Sequence, residues 1–246
     1  MYVFSSKKGG VSVSLKKEIQ DEIYCYCNNH LPKDAWYANE FDFIADENLR
    51  KRLIEEFKGI RFAYKFYEGI EAKKENFIFQ VRHQIFTYAT IYEAVIHSVL
   101  FTYYNDSPEF QTLLYHTIPK RISIPSEKQQ KLEQALTHDG KKIIPYYMDC
   151  CKRDEQSIRF DEKCKTAEKL GLLHSIVKKD GKEIDIVKDI IEIFSYRNGI
   201  HLIAEQRKGI EYELALSRRA YQRMRPFIDQ IKDKLRTDKK GFYANN

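Results

Sequence analysis

Arg197 and His201 stand four positions apart in the stretch Tyr196-Arg197-Asn198-Gly199-Ile200-His201. On a helix that interval puts both side chains on one face, one turn apart. Arginine carries a permanent planar cation matched to phosphate oxygens, and histidine titrates near neutrality and can pass a proton. Together they are the minimum equipment for cutting RNA without a metal ion. One group moves the proton of the 2′-hydroxyl or of the leaving oxygen, while the cation holds the charge that develops on phosphorus. Asn198 adds a neutral donor and acceptor. Gly199, which costs a helix interior ~1 kcal/mol relative to alanine, suits a place where another backbone comes close. Arginine and histidine at this spacing also occur by chance, and a pair at a helix end can simply cap carbonyls or meet acids.

Glu93 is the second candidate. It lies on a long apolar helix within Ile91-Tyr92-Glu93-Ala94-Val95, where a buried carboxylate needs a partner. Arg197 or His201 could supply one; at the edge of the stripe Glu93 would face water instead. Arg82 and His97 lie near the same face. His83, His116, His138 and His174 read as ordinary surface or core residues. The sequence has no phosphate-binding glycine loop, no HExxH and no paired carboxylates at a recognisable spacing.

The chain carries a net charge of +6, concentrated late: residues 205–240 hold eleven Lys or Arg against six Asp or Glu. A basic face there can meet phosphates, through Arg207, Lys208, Arg218, Arg219 and Arg223. It can equally be the solvated side of a helix.

The elements that must position these groups are mostly helical. Gly and Pro number 10 and 6 in 246 residues, which favours long helices over a turn-rich sandwich. The first ten residues read as a loose arm. A helix is expected over 15–29, with Leu15, Ile19, Ile23 and Tyr26 on one stripe. Asp46 is placed to cap a second, carrying Leu49, Leu53, Phe57, Ile60, Tyr64 and Tyr67. The longest, over 77–104, repeats Val81, Ile85, Tyr88, Tyr92, Val95 and Val99, widened by Ala89, Ile96 and Leu100. Ser107-Pro108-Glu109 and Ser126-x-x-Gln129 are helix starts. Arg121–Ile124 and Lys142–Tyr147 are strand-like. A short helix over 161–170 stops at Gly171, and Asp180-Gly181 marks a hairpin turn. Helix then hairpin resembles the end of a winged helix, although the preceding helices fit that template poorly. A helix over 185–194 presents Ile186, Ile190, Ile191 and Phe194. The last runs over 210–235 with an apolar stripe of Ile210, Leu214, Ala220, Tyr221, Met224, Phe227, Ile228, Ile231 and Leu235, and Pro226 should kink it.

Five cysteines, with Cys25 and Cys27 two apart and Cys150 beside Cys151, fit reduced thiols better than a disulfide framework or a zinc site. The N-terminus has no apolar signal region, and no uninterrupted apolar run approaches the ~20 residues that span a bilayer. A cytoplasmic protein without membrane contact is expected.

Set between two amphipathic helices late in a helical chain, Tyr196-Arg197-Asn198-x-Ile200-His201-Leu202 resembles the motif of the HEPN superfamily. In that family an arginine, followed by a polar residue that is often asparagine, precedes a histidine by a short interval. Three residues intervene here, where the pattern commonly has four to six. The resemblance implies an up-and-down helical bundle that pairs with a second copy, so that two motifs face one cleft. It also implies metal-independent endoribonuclease activity without a cofactor, of the kind used in toxin–antitoxin, CRISPR-associated and abortive-infection systems. Arg197 and His201 would be catalytic, with Asn198, and Glu93 if it pairs with them, in support. RNA, a homodimer partner and an antitoxin or defence protein are the implied partners.

The expected fold is therefore mainly α. A HEPN-like bundle core over 76–105 and 184–240 follows an N-terminal helical region over 1–75, and it holds a mixed α/β insertion with a β-hairpin over 106–183. The resemblance covers neither 1–75 nor 106–183. Two other functions fit the same residues. One is a non-catalytic nucleic-acid-binding or regulatory module using the basic helix and the helix-hairpin segment. The other is an interaction protein that docks through its apolar C-terminal stripe.

Overall fold

The computed structural model describes residues 14–136, 141–178, 180–197 and 212–244. The expectations that fall on the N-terminal arm and on His138, Asn198, His201, Arg207, Lys208 and Ile210 lie outside these residues. The chain divides into two compact units, one of residues 1–91 and 193–228, the other of 92–192 and 229–246.

In the first unit, α1 (Lys17–Asn29) and α2 (Asp34–Glu40) precede α3 (Glu47–Gly69). Asp46 caps α3 as its sequence suggests, its carboxylate accepting from the Leu49 amide at 2.9 Å. Phe57, one of the three buried residues of α3, is the hub of an aromatic cluster. Tyr37 and Phe41 meet its ring edge-on with centroids 5.8 and 5.7 Å away, and Tyr88 lies at 6.3 Å. Such geometry matches positive ring edges to negative faces. α2 is too short, at 7 residues, to show a hydrophobic period in the sequence. Its end buries Glu40, which is 1% exposed; the cost of that charge is offset by Arg225, whose Nη1 donates to it at 2.6 Å. The expected stripe of α1 is not a core stripe. Leu15, Ile19 and Tyr26 are exposed and Cys27 is the buried residue of the helix.

α4 (Lys74–Tyr103) carries the most continuous stripe in the chain, and every position read from it, from Val81 to Leu100, is buried. By length and composition α4 could cross a membrane, with a mean hydropathy of 1.3 over its best 18-residue window. Interspersed polar residues hide this from a search for uninterrupted runs. However, 61% of that window is buried inside the protein, as in the core helix of a soluble protein. α4 contributes residues to both units, as do α8 (Ile186–Arg197) and α9 (Leu214–Thr237).

The second unit holds the strands. Ser107 caps α5 (Pro108–Leu114), accepting from the Phe110 amide. β1 (Tyr115–Arg121) then pairs antiparallel with β2 (Tyr146–Lys152), Pro119 facing Met148, and α6 (Ser126–Ala135) lies between them in sequence. Both strands lie to one side of the expected runs, which extend the ribbon instead: the Ile122 amide donates to the Pro145 carbonyl at 2.9 Å. The offset has a physical cause. The ribbon is exposed or half-buried throughout, so neither strand needs the alternation that marks a half-buried sheet. Ser126 opens α6 as its first residue; Pro125 occupies the cap.

α7 (Phe160–Lys169) and the hairpin follow the sequence closely. Gly171 adopts φ +73° just past the helix, and Gly181 takes φ +79° in the turn between β3 (Ile176–Val177) and β4 (Glu183–Ile184). The α8 face is rotated from the expected one. Ile186, Val187, Ile190 and Ile193 are buried, with Ile191 and Phe194 half-buried on the flank. α9 keeps its apolar stripe from Ala220 to Leu235 and continues through Pro226, but Tyr221 faces out. The molecule is mainly helical with two small antiparallel ribbons among the described residues.

Candidate functional site

Arg197 is the last described residue of α8, and two aromatic rings hold it. Its guanidinium carbon lies 5.1 Å from the centroid of Phe194, three residues back on the same helix, and 5.9 Å from Phe86 on α4. A cation over a ring face is attracted to its negative charge by about 0.5–1 kcal/mol where water has access. One turn earlier on α4, Arg82 lies 5.0 Å from the ring of Tyr212. Positions 82 and 86 share a helix face. The residue before segment 198–211 and the residue after it are therefore both seated on one short stretch of α4. That segment carries Asn198, His201, Arg207 and Lys208.

Beside this stretch, Tyr196 and Arg219 line one open cavity of about 310 Å³, together with Glu213, Ala215 and Leu216. The start of α9 thus brings a basic side chain next to the end of α8. Of the basic residues proposed for phosphate contact, Arg219 and Arg223 are half-buried and Arg218 is exposed. Arg218 lines a different cavity, with Arg61 of α3. Arg218 and Arg219 consequently divide between two cavities, so the proposed phosphate contacts of α9 do not form one stripe.

Glu93 lies in the second unit, half-buried on α4. Its charge acts on two neighbours, His97 and Lys163. His97, one turn further along, sits 3.3 Å from Lys163 Nζ through its Nδ1 and stacks on Phe101 at 4.2 Å. Lys163 is 6% exposed. Burial lowers its affinity for a proton, against the opposing pull of Glu93 and Glu155. Burial likewise lowers the His97 pKa, and the lysine charge lowers it further. Nothing in the local sequence Asp161-Glu162-Lys163-Cys164 marks the lysine as buried, because its helix shows an apolar face only through Phe160, Cys164 and Ala167.

Three of the other described histidines have plain surroundings. His83 stacks on Phe79, His116 is exposed on β1, and the backbone of His174 is clamped by Gln230, which accepts from its amide and donates to its carbonyl. All five cysteines are free.

Comparison with protein-family models, curated proteins and solved structures finds no match. Function must therefore be argued from the residues themselves.

Proposed function

We propose that this chain is a metal-independent endoribonuclease of HEPN-like build, acting through Arg197, Asn198 and His201. The observation that supports it most is the seating of Arg197 and Tyr212, on either side of segment 198–211, against Phe86 and Arg82 of α4. That arrangement holds the motif's arginine at a fixed place on a rigid helix, which a transition-state cation requires. Arg219 beside Tyr196 adds a second basic group next to the same point.

In this reading the RNA backbone lies along the start of α9. A base removes the 2′-hydroxyl proton, the oxygen attacks the adjacent phosphorus, and the bond to the 5′-oxygen breaks as that oxygen takes a proton. The products are a 2′,3′-cyclic phosphate and a 5′-hydroxyl. Arg197 holds the charge that builds on the phosphoryl oxygens, and His201 moves one of the two protons. Two copies pairing through their motifs would supply two such sets to one cleft, and a defence system or toxin–antitoxin pair in the cytoplasm is the setting proposed.

The test is cleavage of single-stranded RNA by the purified protein, with DNA of the same sequence as control. Cleaved RNA, intact DNA and loss of activity in both Arg197→Ala and His201→Ala support the reading. Unchanged cleavage in both variants overturns it. Salt-dependent binding to duplex DNA without cleavage of any RNA would favour the non-catalytic module instead.

A further inference from the structure

The first unit contains a second cavity, of about 290 Å³, that shares no lining residue with the one beside Tyr196. Leu31, between α1 and α2, and three helices build it: α3 through Arg61 and Lys65, α4 through Gln84 and Tyr88, and α9 through Arg218. Its chemistry is one-sided. Among the described residues three cations line it and no carboxylate does. Lys65 is partly neutralised by Glu68 at 2.5 Å, which leaves the two arginines as the net positive pair.

Arg61 is oriented with unusual care. Its guanidinium lies over four rings, at 5.1 Å from Trp36, 5.2 Å from Tyr221, 5.6 Å from Tyr37 and 5.9 Å from Phe57. Rings fix a guanidinium without consuming its hydrogen bonds. Its Nη1 is buried without a well-formed hydrogen bond, and the guanidinium acts on the neighbouring Tyr37 hydroxyl. Gln84 repeats the pattern on the opposite wall: the side chain is 2% exposed, and its amide nitrogen is buried without a partner. A buried donor left unmade costs about 1–3 kcal/mol, so the Gln84 amide in the wall of a basic cavity points to an acceptor there.

The remaining polar groups fit the same occupant. Burial drives the Tyr88 pKa far up, so its hydroxyl stays protonated and can donate. Ser217 spends its hydroxyl proton on the Leu214 carbonyl at 3.0 Å. The rings of Tyr64 and Tyr221 supply flat apolar wall.

We infer that this cavity binds a small organic phosphate bearing a planar ring, of the size of a nucleoside monophosphate. Arg61 and Arg218 hold the phosphate, and Gln84 and Tyr88 donate to the polar edge of the ring. The volume falls at the lower end of small-ligand sites, about 300 Å³. The two guanidiniums come from α3 and α9, so an occupant ties those helices together in the first unit. The inference does not rest on the ribonuclease reading, and either can fail alone.

The experiment is titration calorimetry of the full chain with adenosine 5′-monophosphate, adenosine and inorganic phosphate. Saturable binding of the monophosphate is expected, at least tenfold tighter than adenosine and displaced by millimolar phosphate. Arg218→Gln, at an exposed position, should weaken it at least tenfold, and Gln84→Leu should weaken it while leaving phosphate displacement intact. Circular dichroism on each variant establishes that it is folded. Absence of saturable binding by the wild-type chain, equal binding of adenosine and its monophosphate, or undiminished binding in folded Arg218→Gln each overturns the inference.

Discussion

Both units hold arginines against acids or rings, Arg153 against Glu162 and Arg236 over Tyr243 in the second, and they differ in the burial of lysine. In the first, the cations are arginines held by rings or acids at their flanks: Arg61 over Trp36 and Tyr221, Arg197 over Phe194 and Phe86, and Arg225 against buried Glu40. Their charge is permanent. In the second, Lys163 and Lys232 are buried, and Lys163 is placed against a histidine and weakened by desolvation. A lysine gives up its proton readily when buried, whereas a guanidinium does not. The proposed phosphate chemistry draws on the permanent charges of the first unit. The Lys163–His97 pair belongs to the stability of the second, and Glu93 serves that pair as its nearby counter-charge.

Substitutions can break this division. The largest effect is expected at Arg197→Ala, which should reduce RNA cleavage by about 10²–10³-fold, the usual loss for one preorganised charge-stabilising group. Lys163→Met should leave the same assay within a factor of two. A loss of cleavage in Lys163→Met without loss of fold would assign chemistry to the wrong unit and end the comparison.

The next effect is thermodynamic. Arg225→Ala strips a partner from a carboxylate that is 1% exposed, and chemical denaturation should register a loss of about 2 kcal/mol. Adding Glu40→Gln should recover part of that loss by removing the buried charge. In the second unit the sign reverses. Lys163→Met removes a desolvated charge and should raise stability by about 1 kcal/mol, or roughly 2–4 °C in Tm for a chain of this size.

The smallest effect is a pH dependence. The native state holds fewer protons at His97 than the unfolded chain does, because its pKa is lowered from 6.5. The stability it permits is full above pH 6.5 and declines as pH falls through that value. Denaturation midpoints between pH 7.5 and 5.5 should show this fall. It should be shallower in Lys163→Met, where one of the two causes is gone, and absent in His97→Gln apart from the carboxylate background. A slope unchanged in His97→Gln would move the titrating group elsewhere.

How much of this was legible in the sequence depends on whether a feature is local. The α4 stripe repeats a single period over many turns, and all of its positions are buried. Asp46, Ser107, Gly171 and Asp180-Gly181 act within a few residues of themselves, and each does what its type suggests. The exposed ribbon of β1 and β2 lacked alternation and was placed several residues off. The rotated face of α8 turned on Ile193, which the expected stripe omitted. What could not be read was the meeting of distant residues. Glu40 and Arg225 are 185 positions apart, and Lys163 and His97 are 66 apart. Arg61 and Arg218 converge on one cavity from different helices. At the candidate site, Arg197 was named from its motif, but its seat on Phe86 came only with the fold. Asn198 and His201 rest on sequence, as do Arg207 and Lys208.

The most direct test of the account is the chemistry of the cut ends. Single-stranded RNA incubated with the purified protein and a chelator should yield fragments with 2′,3′-cyclic phosphate and 5′-hydroxyl termini. A 2′-deoxy substitution at the cut site should block that cut, since the internal nucleophile is gone. Fragments ending in 5′-phosphate and 3′-hydroxyl, or cutting that persists past the 2′-deoxy position, would contradict it.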